Sequence, residues 1–187
     1  MGRKALVVVD MLNDFVSGAL KTQEAAATVS PCARVLEAFR EARLPVFFVN
    51  DSHLPSDFEI GIWGQHAMKG SQGARVIAEL EPAQGEVVLE KHTYSAFFGT
   101  PLDYLLRSMG VDEVVLVGLD ADICVRHTAA DAFFRGYRVT VVRDAVAARI
   151  DKNWEEYYRK VYGARIIGSD EVRDYIGLAK RKQLMKG

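Results

Sequence analysis

The run Glu113-Val114-Val115-Leu116-Val117, followed by Gly118-Leu119-Asp120-Ala121-Asp122-Ile123-Cys124-Val125-Arg126-His127-Thr128, decides how the rest of the chain is read. An unbroken aliphatic run of this length is a strand buried on both faces, and Ile123 to Arg135, with Gly136 as its stop, has helical periodicity. Strand followed at once by helix is the unit of a parallel sheet, because a right-handed crossover returns the chain alongside the strand it left. Cys124 falls in the first turn of that helix. Unpaired N–H groups and the helix dipole favour a thiolate there, which predicts a pKa lowered toward neutrality, and the same N–H groups suit an oxyanion. Taken alone, Cys124 reads equally well as a small buried apolar residue, so its partners must decide.

Outward from this stretch the same alternation recurs. Ala5 to Val9, Pro45 to Val49, Glu86 to Leu89, Arg138 to Val142 and Ala164 to Ile167 read as further strands. Ser30-Pro31 reads as a capped helix start feeding Val35, Leu36 and Phe39, and Thr100-Pro101 as another feeding Leu102, Leu105, Leu106 and Met109, with Gly110 to end it. Gly73 to Leu80 reads as a short helix, Asp151 as the cap of a helix carrying Trp154, Tyr157, Tyr158 and Val161, and Ser169 as the cap of a last helix with a basic tail from Lys180 to Lys186. Asn50 to Gly73 is a long, weakly patterned loop of the functional kind. The expected architecture is α/β, a three-layer α/β/α sandwich. Its six-stranded, mostly parallel sheet has helices on both faces and forms a single domain over residues 1–187.

Composition narrows the function. A length of 187 residues suffices for one well-buried core, and 49% hydrophobic with 26% charged residues is ordinary for a soluble globular domain. A net charge of -1 leaves no basic footprint for nucleic acid and makes a small molecule the expected partner. Cys32 and Cys124 have no metal-type spacing and read as free thiols of a reducing compartment, Cys32 as a buried structural residue of the first helix. The start reaches Asp10 too soon for a signal peptide, and no segment approaches the roughly 20 apolar residues of a membrane span. A cytoplasmic protein without membrane contact is expected.

In parallel sheets ligands bind beyond the carboxyl ends of the strands, and Asp10, Asp51, Lys91 and Leu119-Asp120 all fall at such ends. A carboxylate beside a cysteine can take its proton, and an ammonium offsets the negative charge that remains. Asp51-x-His53 with Trp63-x-x-His66 offers one carboxylate and two imidazoles, a metal-ligand set suited to zinc, iron or manganese, with Glu59 as a candidate fourth ligand or a solvated glutamate.

Five separated motifs together carry a resemblance: Asp10-x-x-Asn13-Asp14-Phe15; Asp51-x-His53; Trp63-x-x-His66 with Gly70-x-x-Gly73-Ala74; Lys91-x-x-Tyr94-Ser95-x-Phe97-x-Gly99-Thr100; and Asp122-Ile123-Cys124-Val125-x-x-Thr128-Ala129-x-Asp131-Ala132. In this order and spacing they closely resemble the nicotinamidase/pyrazinamidase branch of the isochorismatase-like cysteine hydrolases. The resemblance implies Asp10 as general base, Lys91 as electrostatic stabiliser and Cys124 as nucleophile, with a cis peptide at Leu119–Asp120 and an oxyanion hole from the N–H groups of Asp120 and Cys124. It further implies Asp51, His53 and His66 as ligands of one divalent metal, zinc before iron or manganese. Phe15, Trp63 and Tyr94 become the walls around an aromatic amide. His92 and His127 match no ligand and are expected to be supporting or surface residues.

The implied reaction is hydrolysis of nicotinamide or a close aromatic amide, a step of NAD salvage, with another small carbamoyl or ureido amide as the alternative and a non-catalytic scaffold as the outlying reading. Relatives of this kind are homodimers or homotetramers, for which Phe133 and Phe134 are candidate interface residues or simply core. Two departures stand out. The His53-to-Trp63 loop is short, implying a more open pocket or reliance on Glu59, and Asp120 stands where the family has a small or apolar residue, with Ala121 in place of threonine. A carboxylate there repels an oxyanion unless it is itself paired.

Overall fold

A computed structural model describes residues 2–178, so the basic tail from Lys180 to Lys186 lies outside the described residues. Its sheet is built from β1 (Arg3–Val9), β2 (Val46–Asp51), β3 (Val87–Lys91), β4 (Val111–Leu119), β5 (Arg138–Ala147) and β6 (Arg165–Ile167) in the order β3-β2-β1-β4-β5-β6. Every pairing is parallel. The order reverses direction between β1 and β4, which opens a crevice at their carboxyl ends.

The helical elements are α1 (Asn13–Val16), α2 (Gln23–Ala27), α3 (Val29–Glu41), α4 (Ile60–Trp63), α5 (Leu102–Ser108), α6 (Cys124–Phe134), α7 (Trp154–Tyr162) and α8 (Val172–Tyr175). Alternate residues of β1 serve opposite layers: Leu6 and Val8 pack with Val35, Leu36 and Phe39 of α3, whereas Ala5, Val7 and Val9 pack with Leu102 and Leu106 of α5 and Val125 and Ala129 of α6. Burial on both faces is what the unbroken aliphatic runs require.

Several local expectations are corrected. Ser30 does not cap α3: the helix starts at Val29, directly after α2, whose cap is Thr22, with Oγ1 accepting the Ala25 N–H at 3.0 Å. Pro31 is tolerated because the first turn has no intrahelical use for its missing N–H. Gly73 to Leu80 forms only a 3₁₀ turn at Ala78–Leu80. Asp151 caps the turn ahead of α7 through the Asn153 N–H at 2.9 Å. Ser169, instead of capping α8, gives its N–H and hydroxyl to Asp144 at 2.8 and 2.6 Å. Phe133 and Phe134 are not core; Phe134 is 73% exposed. Among the described residues no helix is long and apolar enough to cross a membrane.

Candidate active site

Asp10 leaves β1 with a left-handed backbone (φ 53°), a conformation that aspartate tolerates better than most residues. Its carboxylate turns toward the neighbouring strand ends: Oδ1 accepts the Asp51 N–H at 2.7 Å, and Oδ2 lies 2.8 Å from Nζ of Lys91. Register places Asp51 beside Lys91, whose Nζ also donates to Asp51 Oδ1. Cys124 is the first residue of α6, and a carboxylate oxygen of Asp10, one of Asp51 and the Cys124 sulfur all lie within 4.8 Å of one another. Close approach of β4 to β1 depends on Gly118 (φ 116°), where a Cβ would sit 1.9 Å from the Val9 carbonyl oxygen. The Leu119–Asp120 peptide that follows is cis.

Burial dominates the electrostatics. It pushes the Asp10 carboxyl up to about 7, with the Asp51 charge adding to the rise and Lys91 opposing it. It also drives the Cys124 thiol well above its ordinary value, against the pull of Lys91 and with help from Asp10, Asp51 and Glu59. This overturns the expectation of a thiol lowered toward neutrality: the helix terminus is present, but desolvation among carboxylates outweighs it. Burial works against the Lys91 ammonium too, yet the carboxylates of Asp10 and Asp51 hold its pKa well above the ordinary lysine value.

Beside this trio, Asp51, His53, Glu59 and His66 form a buried group whose donor atoms also lie within 4.8 Å of one another. The chain reaches this arrangement through a parallel bridge between His53 and Met68, which draws the far end of the long loop back to β2. Asp14 supports the return by accepting the Ala67 N–H at 2.8 Å, and Gly73 is required there because a Cβ would sit 2.0 Å from Asp14 Oδ2. Asp51 Oδ2, His53 Nε2 and Glu59 Oε1 are buried without a hydrogen-bond partner. Orphaned buried polar atoms of this kind are costly, and a divalent cation satisfies all of them at once, so the residues fit a metal. Burial opposes the His53 imidazolium, yet Asp51, Asp57 and Glu59 push its pKa up to about 8, whereas burial holds His66 below its usual value.

Cys124, Asp51, Glu59 and His66 line a small pocket together with Phe15, Trp63 and Tyr94. Trp63 Nε1–H donates to the Tyr94 hydroxyl at 3.1 Å, and Phe15 meets His66 edge-on at 5.6 Å. The short loop buries Glu59 in the pocket wall, so it is not a solvated glutamate. His92, half exposed, contacts Asp57 at 3.0 Å, and His127 faces the Ile123 carbonyl at 2.7 Å.

Two functional-looking residues escaped the sequence reading. Asp57 accepts from Nδ1 of His53 at 3.1 Å, and its i+4 spacing was the available signal. Arg149, beyond the end of β5, lines the pocket and donates Nε–H to Asp120 Oδ2 at 2.6 Å. The same strand-end rule that singled out Asp10 and Lys91 applies to it. Asp120 is thus paired, although burial pushes its carboxyl up against the pull of Arg149.

Comparison with known proteins places the chain in a family. The isochorismatase domain matches residues 4–171. Nicotinamidase 3 of Arabidopsis thaliana is 36% identical over 152 residues, 76% of this chain and 72% of that protein. Among solved structures, N-carbamoylsarcosine amidase from Thermoplasma acidophilum has a TM-score of 0.89 at 61% identity, over 90% of this chain and 98% of that one. A pyrazinamidase of Pyrococcus horikoshii in complex with zinc has a TM-score of 0.79 at 29% identity, over 89% of this chain and 99% of that one. With the match running from the first strand to the edge of the last described helix, the chain belongs to the isochorismatase family.

Proposed function

We propose that this chain is an amidohydrolase that releases ammonia from a small neutral aromatic amide, nicotinamide being the type, through a thioester on Cys124. The observation that carries this reading is the four-donor cluster of Asp51, His53, Glu59 and His66 opening into the same aromatic-walled pocket as the thiol. A divalent metal held by these residues, with zinc the first candidate, supplies a fixed positive charge that a pyridine-type nitrogen can face. The aromatic side chains of Phe15, Trp63 and Tyr94 on the pocket wall suit a flat ring.

Asp10 takes the thiol proton as the sulfur attacks the amide carbon, which fits a buried carboxyl with a pKa near neutrality beside a thiol that does not ionise by itself. The oxyanion develops at the N-terminus of α6. There the Asp120 carbonyl takes the N–H groups of Ile123 and Val125 at 3.0 and 3.1 Å, and the N–H groups of Asp120 and Cys124 are assigned to the substrate oxygen. Asp10 passes its proton to the departing ammonia. It then removes a proton from water as that water attacks the thioester, and returns it to the sulfur as the acid leaves. Lys91 offsets the negative charge throughout.

A second reading, hydrolysis of an N-carbamoyl amino acid, is favoured by the 61% identity to the Thermoplasma acidophilum protein and by the guanidinium in the pocket wall. The neutral amide is preferred because Asp120 already pairs with Arg149, the guanidinium that a substrate carboxylate would need. Ammonia release from nicotinamide by the zinc-loaded protein, abolished in Cys124→Ala, is the expected result. Release from N-carbamoylsarcosine and none from nicotinamide would overturn the first reading in favour of the second.

A further inference from the structure

Arg149 is held in place before its guanidinium reaches the pocket. The Asp122 carboxylate accepts the backbone N–H groups of Arg149, Ile150 and Asp151 at 2.9, 2.5 and 2.7 Å. The side chain then runs inward: Nε donates to Asp120 Oδ2 at 2.6 Å, Nη2 donates to the Leu20 carbonyl at 2.8 Å, and the guanidinium carbon lies 6.0 Å from the Trp63 ring centroid. Asp120 is 5% exposed, and both residues line the pocket that holds Cys124.

A guanidinium on a pocket wall beside a nucleophile is the group best shaped to receive the carboxylate of an incoming molecule, because its planar fork matches both oxygens. Here the chain supplies that carboxylate itself. We propose, resting on the reading of this pocket as an amide-hydrolysing site, that Asp120 is a specificity-determining residue: it occupies Arg149 as an internal carboxylate and thereby excludes amides that carry a carboxylate of their own. An anionic amide entering the pocket meets the charge of Asp120 and finds the Nε edge of the guanidinium taken. A neutral amide meets no such repulsion. Removing the Asp120 charge leaves the Arg149 guanidinium without a counter-charge on the pocket wall, and a carboxylate from solution is then its natural partner.

The inference is read without turnover. Binding of succinamate, a small carboxylate-bearing amide, and of nicotinamide is measured by titration calorimetry in zinc-loaded Cys124→Ala protein, alone and combined with Asp120→Asn or Asp120→Ala. The expected result is succinamate binding tightened about 10- to 100-fold by either Asp120 substitution, without a parallel gain for nicotinamide. Adding Arg149→Gln should cancel the gain. Asparagine is nearly isosteric, so it keeps the test usable should the alanine variant fold poorly. Unchanged succinamate affinity in a folded Asp120 variant, or a gain that survives Arg149→Gln, overturns the proposal, as does efficient hydrolysis of a carboxylate-bearing amide by the wild type. Failure of the wild type on nicotinamide, with a different neutral amide cleaved, would defeat the nicotinamide assignment and leave this inference standing.

Discussion

Nδ1 of His53 lies 3.1 Å from Oδ2 of Asp57, so the carboxylate holds the imidazole with Nε2 turned toward Asp51 and Glu59. The same oxygen accepts the Leu54 N–H at 2.9 Å, which anchors it to the backbone. A carboxylate on the outer nitrogen fixes the tautomer and strengthens the inner nitrogen as a ligand. Asp57→Ala should therefore weaken zinc binding by about 10- to 100-fold with the four donors intact. Competition against a chromophoric chelator measures this directly. An unchanged affinity would mean that His53 is oriented by its other neighbours alone.

Lys91 is 1% exposed and stands between the carboxylates of Asp10 and Asp51. Replacing it with methionine keeps the apolar stem but leaves two buried carboxylates facing each other. Breaking a buried ion pair in this way costs roughly 3–5 kcal/mol. The loss should be largest in metal-free Lys91→Met, because a divalent ion on Asp51 offsets part of the repulsion. Urea unfolding with and without zinc tests this, and a loss below about 1 kcal/mol in metal-free protein would show that Asp10 simply takes up a proton instead.

The parallel sheet was legible because its strands are continuous aliphatic runs, and the convergence of Asp10, Asp51, Lys91 and Cys124 followed from their places at strand ends. Helix starts were less legible. Thr22, Thr28 and Ser30 all carry cap-type side chains within a few residues, and which one caps depends on how α2 and α3 abut, a matter of packing. The state of the Cys124 thiol was misread for a related reason: a helix start is local and visible, whereas the desolvation that overrides it is created by β1, β2 and the long loop closing over the sulfur. Arg149 was less legible because it follows the end of β5 by two residues and its partner Asp120 lies 29 positions earlier.

Gly118 tests the sheet's switch point. Its φ of 116° and the 1.9 Å that would separate a Cβ from the Val9 carbonyl oxygen leave no room for a side chain in the middle of the sheet. Gly118→Ala should be destabilised by more than about 4 kcal/mol, at the severe end for a single substitution. It should also accumulate as insoluble protein, since β4 must separate from β1 to accept the methyl group. A soluble variant unfolding within about 1 kcal/mol of the wild type would mean that the two strands yield more easily than their packing indicates.

Asp144 supplies a pH dependence remote from the pocket. It accepts the Ser169 N–H and hydroxyl at 2.8 and 2.6 Å and faces Arg34 at 3.4 Å. Burial opposes ionisation, but the Ser169 hydrogen bonds and Arg34 hold the carboxyl below its ordinary value. A depressed folded pKa means that the unfolded chain binds the proton more readily. The resulting stability is present above the unfolded value, about 3.9, and is lost as pH falls through the folded one. Because the side chain is well exposed, solvent screening keeps the contribution below about 1 kcal/mol. In Asp144→Asn the titrating group is gone, so the stability difference from the wild type should be greatest near about pH 6 and shrink steadily toward about pH 3. Two stability curves that run parallel over that interval would show that Asp144 titrates alike in the folded and unfolded chains.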